Sequence, residues 1–177
     1  DLNNKAFILG TIHRDNNTDQ PERLNNIFRA LNQIARENKV NVVLPMHPRT
    51  LNAMEENLDK VLLEEVESNA FMKIIPAVSF LDIIMLESHC EMIFTDSGGV
   101  QKEAWFFEKP VVILRPETEW VEIVEHGNGI IVDADPERIL EAYWHFLEKR
   151  GGLSFPAIYG DGKAAEFICE TMLEMRK

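Results

Sequence analysis

The stretch IFTDSGGVQKEA, residues 93–104, joins an apolar run to a segment with the composition of a helix. A polar Thr-Asp-Ser sequence ends the run, and two adjacent glycines follow it. Glycine lets a backbone approach a ligand closely, and the free N–H groups at a helix N-terminus bind phosphate oxygens. The stretch therefore predicts a strand, a phosphate-binding turn and a helix, in that order. The alternative is a tight turn with a capping serine and a glutamate that the helix dipole favours.

The rest of the chain alternates short apolar runs with longer segments of helical periodicity. Within residues 20–38, apolar side chains recur three and four positions apart, which is typical of one buried helix face. Several short runs are almost wholly apolar, as in strands that helices cover on both faces. This alternation predicts an α/β fold with a Rossmann-like, doubly wound parallel sheet. The predicted strands are 6–12, 41–46, 72–76, 91–95, 110–114 and 129–132, and the predicted helices between them are 20–38, 50–64, 79–88, 99–107, 119–125 and 136–149.

Length and composition predict a single domain over residues 1–177. Hydrophobic residues make up 45% of the chain and charged residues 27%, which is ordinary for a soluble globular protein. A length of 177 residues favours one core over two independent ones. After a break at Gly151 and Gly152, residues 151–177 are predicted to form a loop and a C-terminal helix, with Asp161 as the N-cap.

Charge and hydropathy narrow the classes of partner. The formal net charge of −12 disfavours nucleic acid and anionic membranes, because both attract Lys and Arg. A small anionic ligand stays compatible, since backbone N–H groups can make a site locally positive. No apolar run approaches the roughly 20 residues of a membrane-spanning helix, and no signal peptide opens the chain, so we expect a cytoplasmic protein. The first residue is Asp1, which suggests a fragment or a processed piece of a longer protein.

Common catalytic and cofactor motifs do not occur in the sequence. It has no G-x-S-x-G, no G-x-x-x-x-G-K-[ST], no H-E-x-x-H and no clustered metal ligands. The glycines do not match G-x-G-x-x-G, so a nicotinamide cofactor is not expected. Neither a metal nor any other cofactor is predicted. Cys90 and Cys169 lie in apolar, helix-like surroundings and are predicted to be buried, reduced thiols. Glutamates follow the fifth strand and form either acid–base pairs or a solvated helix start; they are Glu117, Glu119 and Glu122.

Polar residues follow the first, second and fourth predicted strands. Ligands of open α/β sheets bind outside the carboxyl ends of the strands. His13 and Arg14 end the first strand, where they could meet a phosphate or where His13 could move protons. His47 ends the second strand, where a rigid turn bracketed by prolines is the alternative. Glu103 lies one helical turn after Gly99, where its carboxylate could accept hydrogen bonds from ribose hydroxyls.

Six short motifs keep the order found in one enzyme family. They are TIHR at 11–14 with Asn17, MHP at 46–48, TDSGGVQ at 95–101 with Glu103 and Ala104, KPV at 109–111, Arg115 with Thr118 and Glu119, and YGDG at 159–162. Together they resemble the C-terminal half of the non-hydrolysing UDP-N-acetylglucosamine 2-epimerases. The resemblance implies one half of a GT-B architecture, in which two Rossmann-like domains hold the ligand between them.

The resemblance also implies a role for individual residues. Ser97, Gly98 and Gly99 are expected to hold the diphosphate of UDP, and Glu103 its ribose. The uracil is expected near Val78 to Ile83. His13 resembles the active-site histidine of the family and is the predicted catalytic residue, and the predicted substrate-binding set also includes Arg14, His47 and Trp120.

The implied activity is that of an isomerase. The family interconverts UDP-GlcNAc and UDP-ManNAc for bacterial surface polysaccharide synthesis, by removal of the C2 proton, anti elimination of UDP and re-addition of UDP. Its acid–base carboxylates lie in the N-terminal domain, so this chain alone is expected to be inactive. The expected partners are UDP, a UDP-N-acetylhexosamine, the N-terminal domain, toward which residues 151–177 would pack, and a second subunit of a homodimer.

Two departures from the family pattern bear on the substrate. The common H-R-x-E-N is HRDNN at 13–17, and the common T-E-R-P-E is TEWVE at 118–122, where Trp120 replaces an arginine. TEWVE resembles related epimerases that act on UDP-diacetamido sugars, which are therefore an alternative substrate. Two other classes remain open: the donor-binding half of a GT-B glycosyltransferase, and a stand-alone nucleotide-binding module.

Overall fold

The fold is built on one parallel sheet of six strands. The computed structural model describes residues 6–175, so the ends of the predicted 1–177 domain, residues 1–5 and 176–177, lie outside the described part. The strand order is β3-β2-β1-β4-β5-β6, which is the doubly wound order of a Rossmann-like sheet. The strands are β1 (Phe7–Thr11), β2 (Asn41–Met46), β3 (Met72–Pro76), β4 (Met92–Thr95), β5 (Val111–Ile113) and β6 (Gly129–Ile131).

Helices connect the strands and cover both faces of the sheet. They are α1 (Asp15–Thr18), α2 (Pro21–Asn38), α3 (Pro48–Asn57), α4 (Lys60–Ser68), α5 (Phe80–His89), α6 (Gly98–Phe106), α7 (Val121–Glu125), α8 (Pro136–Glu148) and α9 (Ala164–Glu174). The short α1 was not predicted. The other helices and all six strands lie where the sequence predicted them, apart from one segment.

The predicted helix over 50–64 is wrong, because the chain forms two helices there. Leu58 is extended, with φ −75° and ψ 143°. At the break, the amide nitrogen of Asn25 donates to the carbonyl of Asn57 at 2.8 Å, and its oxygen accepts from the N–H of Asp59 at 2.9 Å. A side chain of α2 thus satisfies backbone groups that a continuous helix would have paired.

The strand order reverses direction between β1 and β4. β1 pairs with β2 on one side and with β4 on the other, and Thr11 is in register with Thr95. Their hydroxyl oxygens are 2.5 Å apart in a buried hydrogen bond. The carboxyl ends of β1 and β4 therefore lie side by side at the point where such sheets open a ligand crevice.

Apolar side chains form one core on each face of the sheet. Residues that alternate along a strand belong to opposite cores: Ile8 and Phe94 lie in one, and Leu9 and Ile93 in the other. The first core includes the buried face of α2, where Phe28 is 0% exposed. Each such side chain contributes roughly 1.5–3 kcal/mol through burial, so the two cores hold the strand ends in place.

The C-terminal segment divides into a packed loop and an exposed helix. The indole N–H of Trp105 donates to the carbonyl of Pro156 at 3.1 Å, and the rings of Phe155 and Tyr159 pack edge-on against Trp105. No residue of α9 is buried. Its exposed apolar side chains are Phe167, Ile168, Met172 and Leu173.

Two predictions for this segment and its cysteines are wrong. Lys163, not Asp161, takes the N-cap position of α9, because the Asp161 carboxylate accepts only from the N–H of Lys163 just outside the helix. Cys90 is buried as predicted, but Cys169 is exposed because α9 packs against nothing in the described chain. Among residues 6–175, no helix is both long and apolar enough to cross a membrane.

Candidate functional site

A cleft of about 570 Å³ opens at the carboxyl ends of the central strands. Five predicted site residues line it: His13, His47, Val78, Ile83 and Ser97. Phe80 also lines it and lies within the 78–83 segment expected at the uracil. Other residues of its wall, Arg49 and Thr50 among them, were not predicted as site residues. The ring of Phe80 is 70% exposed, so the cleft offers an apolar surface beside Val78 and Ile83 as well as polar groups.

The turn of Ser97, Gly98 and Gly99 begins α6 at one side of this cleft. The Ser97 side chain caps the helix by accepting from the N–H of Val100, at 3.5 Å. Within the described chain, no acceptor meets the N–H of Gly98 or of Gly99. These two donors, at the positive end of a nine-residue helix, are available to an anion.

Gly98 is favoured by a close side-chain neighbour rather than by backbone conformation. Neither Gly98 nor Gly99 lies in the left-handed region. A Cβ at Gly98 would be 3.1 Å from Oε2 of Glu119, whereas one at Gly99 would meet only Oγ of Ser97 at 3.8 Å. The indole N–H of Trp120 donates to the Gly98 carbonyl at 2.7 Å. Trp120 therefore supports the turn from behind and does not line the cleft with His13.

A second polar group lies behind the turn. Both guanidinium NH₂ groups of Arg115 donate to Glu119, each at 2.9 Å. Arg115 lowers the pKa of Glu119, and the charge of Arg14 adds to that effect. The side chain of Arg14 is exposed and does not line the cleft with His13. The Nζ of Lys102 lies 4.5 Å above the Trp120 ring.

His13 is held by a buried carboxylate. Asp96 is 0% exposed, and its two oxygens accept from the N–H of His13 at 3.0 and 3.1 Å. Asp96 also accepts from the N–H of Arg14 and from the side-chain amide of Asn17, both at 3.0 Å. Asp96 was not predicted as a site residue, although it lies inside the TDSGG motif, because aspartate is rarely buried and the sequence does not show the donors that pair with it here.

The imidazole of His13 faces the cleft. Its Nδ1 is 3.4 Å from the Thr50 hydroxyl. Desolvation by the surrounding protein lowers its pKa from the ordinary value of 6.5; the charge of Asp96 opposes this effect and that of His47 adds to it. At neutral pH the ring is therefore uncharged, with one nitrogen able to donate and the other to accept.

His47 has a structural role in addition to its place in the cleft. It is the N-cap of α3, and its Nδ1 accepts from the N–H of Arg49 at 3.3 Å. The two alternatives given for His47 are therefore compatible, because it lies in a turn between Pro45 and Pro48 and also lines the cleft. Arg49 itself is ion-paired with Asp15 and Asp19, so its charge is partly neutralised at the rim.

Glu103 is one of the predicted site residues that do not line the cleft. It is half-buried on α6, whereas Val100, three residues before it, does line the cleft. Its neighbour across the helix pair is Glu87 of α5, which the sequence did not indicate as a site residue. In the described chain, no three His, Cys, Asp or Glu side chains are grouped to hold a metal ion.

Comparison with known proteins identifies the family. A model of the UDP-N-acetylglucosamine 2-epimerase family matches residues 1–173. The UDP-2,3-diacetamido-2,3-dideoxy-D-glucuronate 2-epimerase of Pseudomonas aeruginosa is 40% identical over 170 residues, covering 96% of this chain and 45% of that protein.

Solved structures agree with this assignment. The UDP-GlcNAc 2-epimerase of Methanocaldococcus jannaschii, in complex with UDP-GlcNAc and UDP, matches with a TM-score of 0.83 and 35% identity, over 96% of this chain and 46% of that one. The enzyme of Neisseria meningitidis bound to UDP-GlcNAc matches with a TM-score of 0.75 and 28% identity, over 97% and 44%.

The chain spans about half the length of the curated relatives it matches, and it corresponds to their C-terminal half. The six-stranded parallel sheet is the Rossmann-like half of their GT-B architecture, as predicted. The strand order, the open turn before α6 and the family match over 1–173 agree: this chain belongs to the UDP-N-acetylglucosamine 2-epimerase family.

Proposed function

We propose that this chain is the nucleotide-binding half of a UDP-sugar 2-epimerase, an isomerase that interconverts UDP-GlcNAc and UDP-ManNAc. The observation that carries the proposal is the turn of Ser97, Gly98 and Gly99, with two unpaired N–H groups at the cleft, in a fold that matches an enzyme in complex with UDP-GlcNAc and UDP. A protein of net charge −12 can bind a diphosphate there because the donors are backbone groups.

The other ligand contacts follow from the positions of the side chains. Val78, Ile83 and Phe80 form the apolar side of the cleft and would receive the uracil. Glu103, one turn into α6, would accept from the ribose hydroxyls. Arg14 is close enough to Glu119 to affect its charge, and would meet the diphosphate or the sugar from the other side of the turn.

His13 would act on the departing UDP. Its ring is neutral at pH 7, because desolvation lowers its pKa. A neutral imidazole can donate to a diphosphate oxygen while charge develops there, or pass a proton to it. Elimination of UDP after loss of the C2 proton, and its return to C1 when a proton is added to the opposite face of C2, would use this group twice: first to stabilise or protonate the departing diphosphate, then to take the proton back.

The carboxylates that exchange the C2 proton would come from an N-terminal domain. The chain corresponds to only the C-terminal half of its relatives, and we propose that the complete protein contains the other half. The C-terminal segment has two parts. Tyr159 of the loop packs against Trp105 of this domain, whereas Phe167 of α9 is 70% exposed. The apolar side chains of α9 would pack toward the N-terminal domain. A homodimer and a cytoplasmic location remain predictions.

A related UDP-diacetamido sugar is the second candidate substrate. The P. aeruginosa relative, named for a diacetamido-glucuronate substrate, is 40% identical to this chain, and Trp120 occupies the position where the common pattern has arginine. The indole of Trp120 donates to the Gly98 carbonyl, so residue 120 lies next to the turn. A tryptophan in place of the common arginine therefore leaves one positive charge fewer beside the turn. A glycosyltransferase role is less well supported, since the family match covers residues 1–173.

Calorimetry and NMR test the proposal on this chain. We expect UDP to bind weakly, with a Kd that titration calorimetry can measure. We also expect no C2 epimerisation of UDP-GlcNAc in an NMR assay, because the acid–base carboxylates would be absent. Turnover by this chain alone would contradict the division of labour between the two domains. Failure to bind UDP at millimolar concentration would contradict the nucleotide site itself.

A further inference from the structure

Glu87 is a buried carboxyl group without a conventional partner. Among the described residues, only Asp96 and Glu87 are fully buried carboxyl side chains. Asp96 receives several hydrogen bonds, whereas neither oxygen of Glu87 receives one from a donor in the described chain. No described Lys or Arg forms an ion pair with it. An ionised carboxylate in such a place is strongly disfavoured, so the protonated acid is the stable form.

The group next to Glu87 is another carboxylate. The side chain of Glu103 is within hydrogen-bonding reach of Glu87. Two carboxylates cannot donate to each other, but a carboxylic acid donates one O–H to an ionised neighbour. Burial first, and then the charge of Glu103, raise the pKa of Glu87 to about 8. At neutral pH the pair therefore holds one proton on Glu87, directed at Glu103.

The pair lies one helical turn behind the wall of the cleft. Ile83 lines the cleft, and Glu87 follows it four residues later on α5. Val100 lines the cleft, and Glu103 follows it three residues later on α6. Residues three and four apart share a helix face, and α5 packs against α6. Both carboxyl groups are thus in the α5–α6 interface, at the inner edge of the cleft.

We propose that Glu87 is a positioning residue, whose protonated carboxyl group donates a hydrogen bond to Glu103 and orients it toward the ribose of a nucleoside diphosphate. This inference rests on the proposed function, because the ribose contact of Glu103 is part of it. One oxygen of Glu103 accepts from Glu87, and the other stays free to accept from the ribose hydroxyls. Without the donor, the Glu103 side chain would have to lose its rotamer freedom on binding.

The remaining titratable groups near the pair do not replace this donor. Burial raises the pKa of the Cys90 thiol to about 12, with Lys109 opposing the shift and Glu87 adding to it. The thiol donates to the Glu87 backbone carbonyl at 3.2 Å, not to its carboxyl group. Lys109 acts on Cys90 and makes no ion pair with Glu87. Above about pH 8 Glu87 would therefore ionise, repel Glu103 and weaken ribose binding.

Binding titrations of three proteins test the proposal. UDP and inorganic pyrophosphate are titrated into the wild type, Glu87→Gln and Glu87→Met at pH 7 and pH 9. Gln keeps a donor at every pH, whereas Met removes it. We expect wild-type affinity for UDP to fall by up to about tenfold from pH 7 to pH 9, relative to Glu87→Gln, because a group with a pKa of about 8 changes from mostly protonated to mostly ionised over that range. Glu87→Met is expected to bind UDP weakly at both pH values. Pyrophosphate has no ribose and should bind all three proteins alike.

UDP itself changes its protonation state with pH, and this change affects all three proteins equally. Comparison of the variants at the same pH therefore cancels it. Equal pH profiles of UDP affinity in the wild type and Glu87→Gln would overturn the inference and leave the proposed function standing. Equal losses of UDP and pyrophosphate affinity in Glu87→Met would also overturn it, by assigning Glu87 a general structural role. Absence of UDP binding in all three proteins would overturn both the proposed function and this inference.

A stability measurement tests the protonation without any ligand. In the unfolded chain Glu87 has an ordinary pKa near 4.5, and in the folded protein its pKa is about 8. Between these two pKa values the folded protein keeps a proton on Glu87 that the unfolded chain has lost. The contribution of Glu87 to the free energy of unfolding therefore decreases as pH rises from about 5 to about 8. Because Gln does not ionise, the melting temperature of Glu87→Gln minus that of the wild type should increase as pH rises over this range. A constant difference would mean that Glu87 is ionised in the folded state, and would overturn the inference.

Discussion

The backbone N–H of His13 donates to both carboxylate oxygens of Asp96, at 3.0 and 3.1 Å. One residue follows β1 and the other follows β4, the two strands between which the sheet order reverses. The same carboxylate accepts from Arg14 and Asn17. The position of the candidate catalytic histidine is therefore set by a buried carboxylate that directly precedes the turn of Ser97, Gly98 and Gly99, so Asp96 connects the two parts of the candidate site.

Asp96→Asn is expected to destabilise the protein. The amide offers one acceptor oxygen, and its NH₂ group would face N–H donors, so at least one charge-assisted hydrogen bond is lost at roughly 1.5–3 kcal/mol. Chemical denaturation gives the free energy of unfolding. Asp161→Asn is the matched control, because that carboxylate is exposed and accepts one hydrogen bond. Equal effects of the two substitutions would contradict the role given to Asp96.

Gly98→Val is expected to weaken the binding of UDP and pyrophosphate alike. A Cβ at this position lies 3.1 Å from Glu119, and a branched side chain also enters the space that the diphosphate would need. We expect a loss of about tenfold or more in affinity for both ligands, or about 1.4 kcal/mol. Gly99→Ala is the control for the fold, since its Cβ meets only an ordinary contact. Unchanged pyrophosphate affinity in Gly98→Val would place the diphosphate elsewhere.

Glu103→Gln is expected to discriminate between the two ligands. It removes a charge-assisted contact with the ribose, on the order of 1.5–3 kcal/mol, and should leave pyrophosphate affinity unchanged. Calorimetry on both ligands, with a thermal melt of the variant, measures the effect. Glu108→Gln on the exposed surface is the charge-matched control. An intact variant with wild-type affinity for UDP would remove the ribose assignment.

His13→Ala in the full-length protein is expected to lower turnover more than it weakens UDP binding. Assistance by a general acid or base is typically worth ~10²–10⁴-fold in rate. If the neutral ring is the active form, kcat falls on the acid side through the pKa of His13, which lies below 6.5. His89→Ala, at the exposed C-terminus of α5, is the control. A raised KM with unchanged kcat would make His13 a binding residue only.

The elements of the fold were largely predictable because their signals are local. The predicted strands 41–46 and 72–76 match β2 and β3, since a short apolar run ends where a polar or proline-containing turn begins. The exception is the break between α3 and α4. It depends on hydrogen bonds made by the Asn25 side chain of α2. The sequence of residues 50–64 alone does not indicate that contact.

The sequence predicted the position of the candidate cleft and some of the residues that line it. The order of the TIHR, MHP and TDSGG motifs identified His13, His47 and Ser97, and the parallel sheet places them together because strand ends meet at one edge. The motifs also included Trp120 and Glu103, but they did not predict which groups these side chains contact. Trp120 supports the Gly98 carbonyl, and Glu103 faces another carboxyl group.

The sequence by itself therefore determined the α/β class, the turn that begins α6 and five of the residues that line the cleft. These features follow from hydrophobic periodicity and backbone preference, which depend on residues close together in the chain. Only the tertiary structure decided that Asp96 is buried beneath His13 and that Glu87 meets Glu103 across the α5–α6 interface. Such pairs form between side chains of separate elements. Their hydrogen bonds and protonation depend on how those elements pack and on which donors the packing leaves within reach.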